Sequence, residues 1–154
     1  MIRLAEPKDL EAILDITRRA WAGSTLHKLL EDRHGVVGGK PWHEHKCDEI
    51  RAMCETDWGH VFVHEQDGRV VGYAGWSYEP ERRVGEVHSN AVDPDFQGRG
   101  IATALITRVV ERLREQGARV LIVRTFAENR AARQVYEKMG FTPLVNSVIY
   151  SMEG

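Results

Sequence analysis

Val92-Asp93-Pro94-Asp95-Phe96-Gln97-Gly98-Arg99-Gly100-Ile101-Ala102-Thr103 joins two unlike patterns, and the join decides the fold. Before it, Val84 to Val92 reads as a strand. After it, two apolar rows (Ile101, Leu105, Val109, Leu113 and Ala102, Ile106, Val110) recur at helical spacing as far as Gln116, and Gly117 is the expected stop. Val120-Leu121-Ile122-Val123 then forms a continuous apolar run, expected of a strand buried on both faces. Strand, helix and strand in this order make a parallel βαβ unit with a right-handed crossover.

The turn has chemistry of its own. The first turn of a helix leaves several N–H groups without intrahelical partners, at the positive end of the dipole. Glycines let that backbone approach a ligand closely. Gln97 to Thr103 is therefore read as an anion site, with each amide–phosphate bond contributing roughly 1.5–3 kcal/mol. Other phosphate motifs fit poorly. A P-loop needs Gly-Lys-Ser/Thr where Gly100 is followed by Ile101, and the dinucleotide fingerprint needs a third glycine where Thr103 stands.

Upstream, Val61-Phe62-Val63-His64 and Val70 to Tyr78 flank Asp67-Gly68, a two-residue hairpin signal. A second turn at Glu79-Pro80-Glu81-Arg82 leads into Val84 to Val92, so an antiparallel meander precedes the βαβ unit. Ile2-Arg3-Leu4 is a short strand. Pro7 suits a first helical turn, and Leu10, Ile13, Leu14, Thr17 and Trp21 follow at helical spacing. Leu26, Leu29 and Leu30 suggest a short helix, broken over residues 34–41. Ile50, Met53 and Cys54 suggest another, ending near Gly59. Downstream, a helix over about 129–139 is stopped by Gly140; Phe141-Thr142-Pro143 and Val145 to Met152 are expected to close the sheet. The class is α/β (α+β): one domain, 1–154, with a mixed, mostly antiparallel sheet, a central parallel strand pair and flanking helices.

With 154 residues, 42% hydrophobic and 29% charged, the chain is an ordinary globular one that needs no staple. A net charge of −2 argues against a nucleic-acid partner. No apolar h-region opens the chain, and no apolar stretch approaches the ~20 residues of a membrane helix, so a cytoplasmic protein without a membrane partner is expected. Cys47 and Cys54 lie two helical turns apart, roughly 10 Å against a disulfide limit of about 7 Å. In His43-Glu44-His45-Lys46-Cys47, the two histidines and the cysteine would share a face in a strand, as zinc ligands do, but not in a helix; the neighbours look helical, and no metal is expected.

The stretch from Val92 to Ala102 resembles the acyl-CoA motif of the GNAT acetyltransferases, whose Gln/Arg-x-x-Gly-x-Gly/Ala pattern is filled by Gln97, Gly100 and Ala102. A second block, from Asn129 to Phe141, is similar to the family's Asn-x-x-Ala…Tyr-Glu-Lys-x-Gly-Phe helix. The resemblance implies that the parallel strands splay into a cleft. Acetyl-CoA would lie there, its pantetheine arm along Asn90, Ala91 and Val92 and its pyrophosphate on the amides of Gln97, Gly98, Arg99, Gly100, Ile101, Ala102 and Thr103.

The implied reaction is attack of a primary amine on the acyl thioester. Tyr136 stands where the family places an acid for the leaving sulfur; a phenol with pKa near ~10 holds its proton at neutral pH. Glu86 is the candidate base, with His88 as rival. Strand alternation puts Glu86, His88, Asn90 and Val92 on one face. Asn129 would bond the coenzyme arm, or cap the last helix. Neither cysteine lies in the matched blocks, which favours direct transfer in a ternary complex over an acyl-enzyme. Trp21, Trp42, His43 and Trp76 are candidate acceptor contacts, because the family's acceptor site is often lined by the segment after the first helix; core packing is the alternative for Trp21. The acceptor is read as a small-molecule amine. A peptide N-terminus or lysine, or a non-catalytic acyl-CoA sensor, are the alternatives, and the resemblance makes a homodimer a candidate.

Overall fold

A computed structural model describes residues 1–21 and 25–154. The elements run β1 (Ile2–Leu4), a 3-10 turn, α1 (Leu10–Ala20), α2 (Leu26–His34), α3 (Trp42–Thr56), β2 (Val61–Gln66), β3 (Arg69–Glu79), β4 (Val84–Val92), α4 (Ile101–Gln116), β5 (Val120–Val123) and α5 (Arg130–Lys138). The five strands lie side by side in chain order, antiparallel except for the parallel pair β4–β5. The meander follows from Asp67-Gly68, where Asp67 at φ +52° and Gly68 at φ +75° take the left-handed conformations of a tight hairpin.

Two cores sandwich the sheet. On one face α4 lays Leu105, Ile106, Val109 and Leu113 over Phe62, Ala74, Trp76, Val87 and Val92, with Tyr136 of α5 at the margin. Each fully buried aliphatic side chain here contributes about 1.5–3 kcal/mol. On the other face α1 and α3 bring Ile13, Leu14, Cys47, Ile50 and Cys54 against Val61, Val63 and Tyr73. Both predicted rows of α4 supply its buried residues. The segment from Ala22 to Ser24, within the stretch expected to cover the acceptor site, lies outside the described residues.

Three expectations are corrected. Residues 141–154 form no strand, so the sheet ends at β5. β5 is consequently not buried on both faces: Val120 is exposed and Leu121, Ile122 and Val123 only half-buried, because no strand covers the outer edge. Thirdly, β4 is not in phase along its length. Ala74 pairs with Asn90 but Trp76 pairs with Val87, so His88 and Ser89 together oppose Gly75. This bulge inserts one residue and reverses the alternation. Val87 and Val92 both pack under α4, while Ala91 joins the α1–α3 core. Glu86 and His88 therefore do not share a face with Asn90 and Val92.

Candidate active site

β4 and β5 part at the bulge. Their pairing runs from Val84–Val120 to Val87–Val123 and stops; β4 continues to Val92 with no strand on that edge. An extended chain of another molecule can add there as a strand does. The free edge carries Asn90, Ala91 and Val92, the residues expected to meet the pantetheine arm.

At the end of that edge the backbone reverses through the glycine turn. Gly98 (φ +77°) and Gly100 (φ +78°) are left-handed, and a Cβ on either would meet nothing within 4 Å. The turn faces open space and carries glycine for its dihedrals. Gly100 caps α4 without a side chain. Among the described residues, no main-chain N–H from Gln97 to Thr103 donates to a protein group; the first bonded amide is Ala104, to Gly100 O at 3.0 Å. A row of unpaired donors at a helix start suits a diphosphate.

A buried charge holds the turn. Asp93 is fully buried and accepts from Arg19 Nη1 and Nη2 (3.0 and 2.8 Å), from Arg69 Nη2 (2.7 Å) and from the Asp95 amide (2.9 Å). The Arg19 guanidinium, foremost, brings its carboxyl down to about 2. Gln97 Nε2 donates to Val92 O at 3.2 Å, closing the loop. Arg69 and Arg99 stack on Phe96, 5.2 and 5.0 Å from its ring centre. Sequence reasoning missed Asp93 because an aspartate before proline reads as simple turn chemistry; its partners lie 74 and 24 residues away.

Tyr136 sits on the α5 side of the fork. Its hydroxyl accepts from Asn90 Nδ2 at 3.2 Å, and the same amide donates to His88 O across the bulge at 3.1 Å. With an acceptor position filled by Asn90, the phenolic hydrogen is free to point elsewhere. Burial pushes the Tyr136 pKa up, so the group keeps its proton.

The other face of β4 carries Glu86 and His88. Glu86 Oε2 lies 3.5 Å from His88 Nδ1, and Arg124 Nη2 donates to its other oxygen at 3.2 Å. His88 Nε2 meets Ser77 Oγ at 2.6 Å. His88, Ser77 and Ser89 line a cavity of about 400 Å³ whose far side is α3 and the turn after it, with Met53, Thr56, Asp57 and His60. Glu86 stands behind the imidazole rather than on the cavity wall. Of the tryptophans, Trp76 reaches this cavity. Trp42 is edge-on to His43, and Trp21 donates to Tyr73 Oη at 3.3 Å under the ammonium of Lys46. The α3 residues carried no motif; only folding brings them opposite β4.

Asn129 caps α5, its Oδ1 accepting from the Ala132 amide at 3.2 Å. Cys47 and Cys54 are buried in α3, and burial raises both thiols, Cys54 to about 11, the reverse of an activated nucleophile. His43, His45 and Cys47 lie on one helix, where His45 bonds Val37 O and Cys47 faces Leu14 O. Among the described residues no group of three or more His, Cys, Asp or Glu side chains is placed to hold a metal, and no helix is long and apolar enough to cross a membrane.

A mixed sheet split beside an uncapped glycine-rich helix start defines the class: an acetyltransferase fold. The chain belongs to the acetyltransferase (GNAT) family, whose model matches residues 12–141. It is 40% identical over 145 residues to an uncharacterised N-acetyltransferase of Methanocaldococcus jannaschii (91% of this chain, 59% of the relative). It is 31% identical over 158 residues to the mycothiol acetyltransferase of Streptomyces griseus (99% and 46%). The chain thus spans about half the length of these curated relatives. Among solved structures, the aminoglycoside N-acetyltransferase AAC(6')-Iy in complex with CoA superposes with a TM-score of 0.69 at 20% identity, covering 100% of this chain and 95% of that one; this likeness carries the fold.

Proposed function

We propose that this chain transfers the acetyl group of acetyl-CoA to a primary amine of a small molecule, directly, in a ternary complex. The observation that carries the reading is the fork. Unpaired amides of residues 97–103 lie at one end, and β4 beside the fork carries Asn90 with the Tyr136 phenol on one face and the His88–Glu86 pair on the other. Acetyl-CoA, when bound, supplies an activated acyl thioester. Gln97 to Thr103 would hold its diphosphate, the free edge at Asn90, Ala91 and Val92 would take its arm, and Asn129, whose Oδ1 caps α5, would have its Nδ2 left to donate to that arm.

Two proton movements fall to this chain. His88, on the cavity wall and backed by Glu86, takes a proton from the arriving ammonium so that its nitrogen can attack the carbonyl carbon. Tyr136 gives its proton to the sulfur as the C–S bond breaks, oriented by Asn90. The bulge is what turns Asn90, the partner of the acid, and His88 to opposite faces of β4. A cavity of about 400 Å³ is of small-molecule size. The name of one relative, a mycothiol acetyltransferase, points the same way.

The test is thiol release from acetyl-CoA against a panel of small amines and N-terminal peptides. Release that depends on a small amine is expected. Turnover on peptides alone would move the acceptor to a protein. Coenzyme binding seen as a thermal shift (about 2.7 kcal/mol at 100 times Kd) without turnover on any amine would make the chain a sensor.

A further inference from the structure

We propose a second activity at the cavity: Ser77, His88 and Glu86 act as nucleophile, base and orienting carboxylate to hydrolyse small acyl esters. β3 and β4 place the three together. Ser77 pairs directly with Glu86 across the two strands. Trp76 and Val87 beside them pack under α4, so Ser77 and Glu86 stand on the opposite face. His88, two positions after Glu86 and before the alternation reverses, shares that face.

The atoms follow the order that a serine nucleophile needs. Ser77 Oγ lies 2.6 Å from His88 Nε2, and the other ring nitrogen, Nδ1, lies 3.5 Å from Glu86 Oε2. A proton kept on Nδ1, towards Glu86, leaves the Nε2 lone pair to take the Ser77 hydrogen. Arg124 Nη2 holds the second oxygen of Glu86 at 3.2 Å. Ser77 is exposed, and with His88 it lines the cavity of about 400 Å³, where Met53 and Trp76 offer apolar wall to a small acyl group. Ser89 brings another hydroxyl to the same wall, a donor for the carbonyl oxygen as it gains charge. The carboxylates of Glu49 and Asp57 on the α3 side favour a neutral or cationic ester over an anionic one.

In the first step Ser77 Oγ attacks the acyl carbon. His88 takes the hydroxyl proton and passes it to the alcohol oxygen as that C–O bond breaks, leaving acyl-Ser77. Water then attacks the same carbon. His88 takes its proton and returns it to Ser77 Oγ, and the carboxylic acid departs. The reaction shares His88 with the proposed transfer but uses neither coenzyme nor amine, so either activity can fail without the other.

The cavity separates these residues from a similar trio on the surface. There His34 Nε2 meets Ser151 Oγ (3.0 Å) and Nδ1 meets Glu153 Oε1 (2.9 Å). Glu153 is 83% exposed, so water screens its pull on the ring, and none of the three lines the cavity.

The test is cleavage of p-nitrophenyl acetate by the whole chain with no coenzyme present. The wild type, quenched during turnover, should carry one acetyl group on the peptide that contains Ser77, read by mass spectrometry. Ser77→Ala and His88→Ala should each lower kcat/KM by about 100-fold or more. Glu86→Gln should lower kcat about 10-fold at unchanged KM, the mark of a positioning residue that orients the imidazole. None of the three belongs to either core, so each variant should keep the wild-type circular dichroism. Ser151→Ala should cleave like the wild type. Ser77→Ala cleaving at the wild-type rate overturns the proposal, because His88 would then act alone. An acetyl group found only on another residue, or a wild type no faster than the same concentration of free imidazole, overturns it too.

Discussion

Two helices begin at the mouth of the cleft, and they begin differently. At α5, Asn129 spends its side-chain oxygen on the Ala132 amide. At α4, Gly100 has no side chain to spend, and the first bonded amide is that of Ala104. Neglect of α4 as a whole does not explain the contrast. Its far end is closed by Gly117 (φ +105°), whose amide bonds Arg114 O, and by the Ala118 amide on Leu113 O. One helix thus keeps the capping rule at one end and suspends it at the other. The suspended end is where an anion can supply what a serine or aspartate would. The difference separates the proposed duties: the start of α4 binds, whereas α5 carries the acid and looks after its own start.

That separation can be tested most severely with Tyr136→Phe. Turnover should fall by about 10²–10⁴ while coenzyme affinity stays put, because general acid catalysis contributes on that scale. A variant with unchanged kcat would leave α5 with no chemistry.

Replacing Gly98 and Gly100 together by Ala should do the opposite. Both positions need positive φ, so the donors shift, and losing about two amide–phosphate bonds should weaken coenzyme binding roughly 100-fold. Titration calorimetry with CoA reads this directly, with kcat at saturation largely retained.

Asp93 sharpens the comparison from beneath, since it holds the α4 turn to α1 and β3. Its carboxyl is depressed to about 2 from an ordinary 3.8. A depressed acid stabilises the fold above its unfolded pKa, and that contribution is lost as pH falls through the folded value. Unfolding free energy should drop by about 2 kcal/mol between roughly pH 4 and pH 2. Asp93→Asn should be less stable at neutral pH and lack that part of the slope, measured by denaturant titration at each pH.

The smallest effect belongs to Asn129→Ala. It removes an ordinary cap and should cost about 1 kcal/mol, seen as a lower Tm. A much larger loss of coenzyme affinity than of stability would show that Asn129 also serves the arm.

Legibility in the sequence followed the range of the interactions. The α4 rows, the Asp67-Gly68 hairpin, the glycine turn and the Asn129 cap are decided by residues within a few positions of one another, and all were readable. The phase of β4 was not. Alternation assumes one residue per pleat, and the bulge at His88–Ser89 depends on how β3 pairs across from it. Reading straight through it put Glu86 and Asn90 on one face, when the strand presents them on opposite faces. The final segment failed for a related reason: a strand is completed only by pairing with an edge, and residues 141–154 pair with none.

By itself, then, the sequence determined a βαβ unit with a helix start that no side chain caps, because dihedral preference and periodicity are local. Tertiary structure alone decided that Tyr136 meets Asn90 on one face of β4 while His88 meets Glu86 and Ser77 on the other, that α3 walls a cavity against β4, and that Asp93 anchors the turn through guanidinium groups brought in from α1 and β3. Those are meetings of distant residues, and packing settles them.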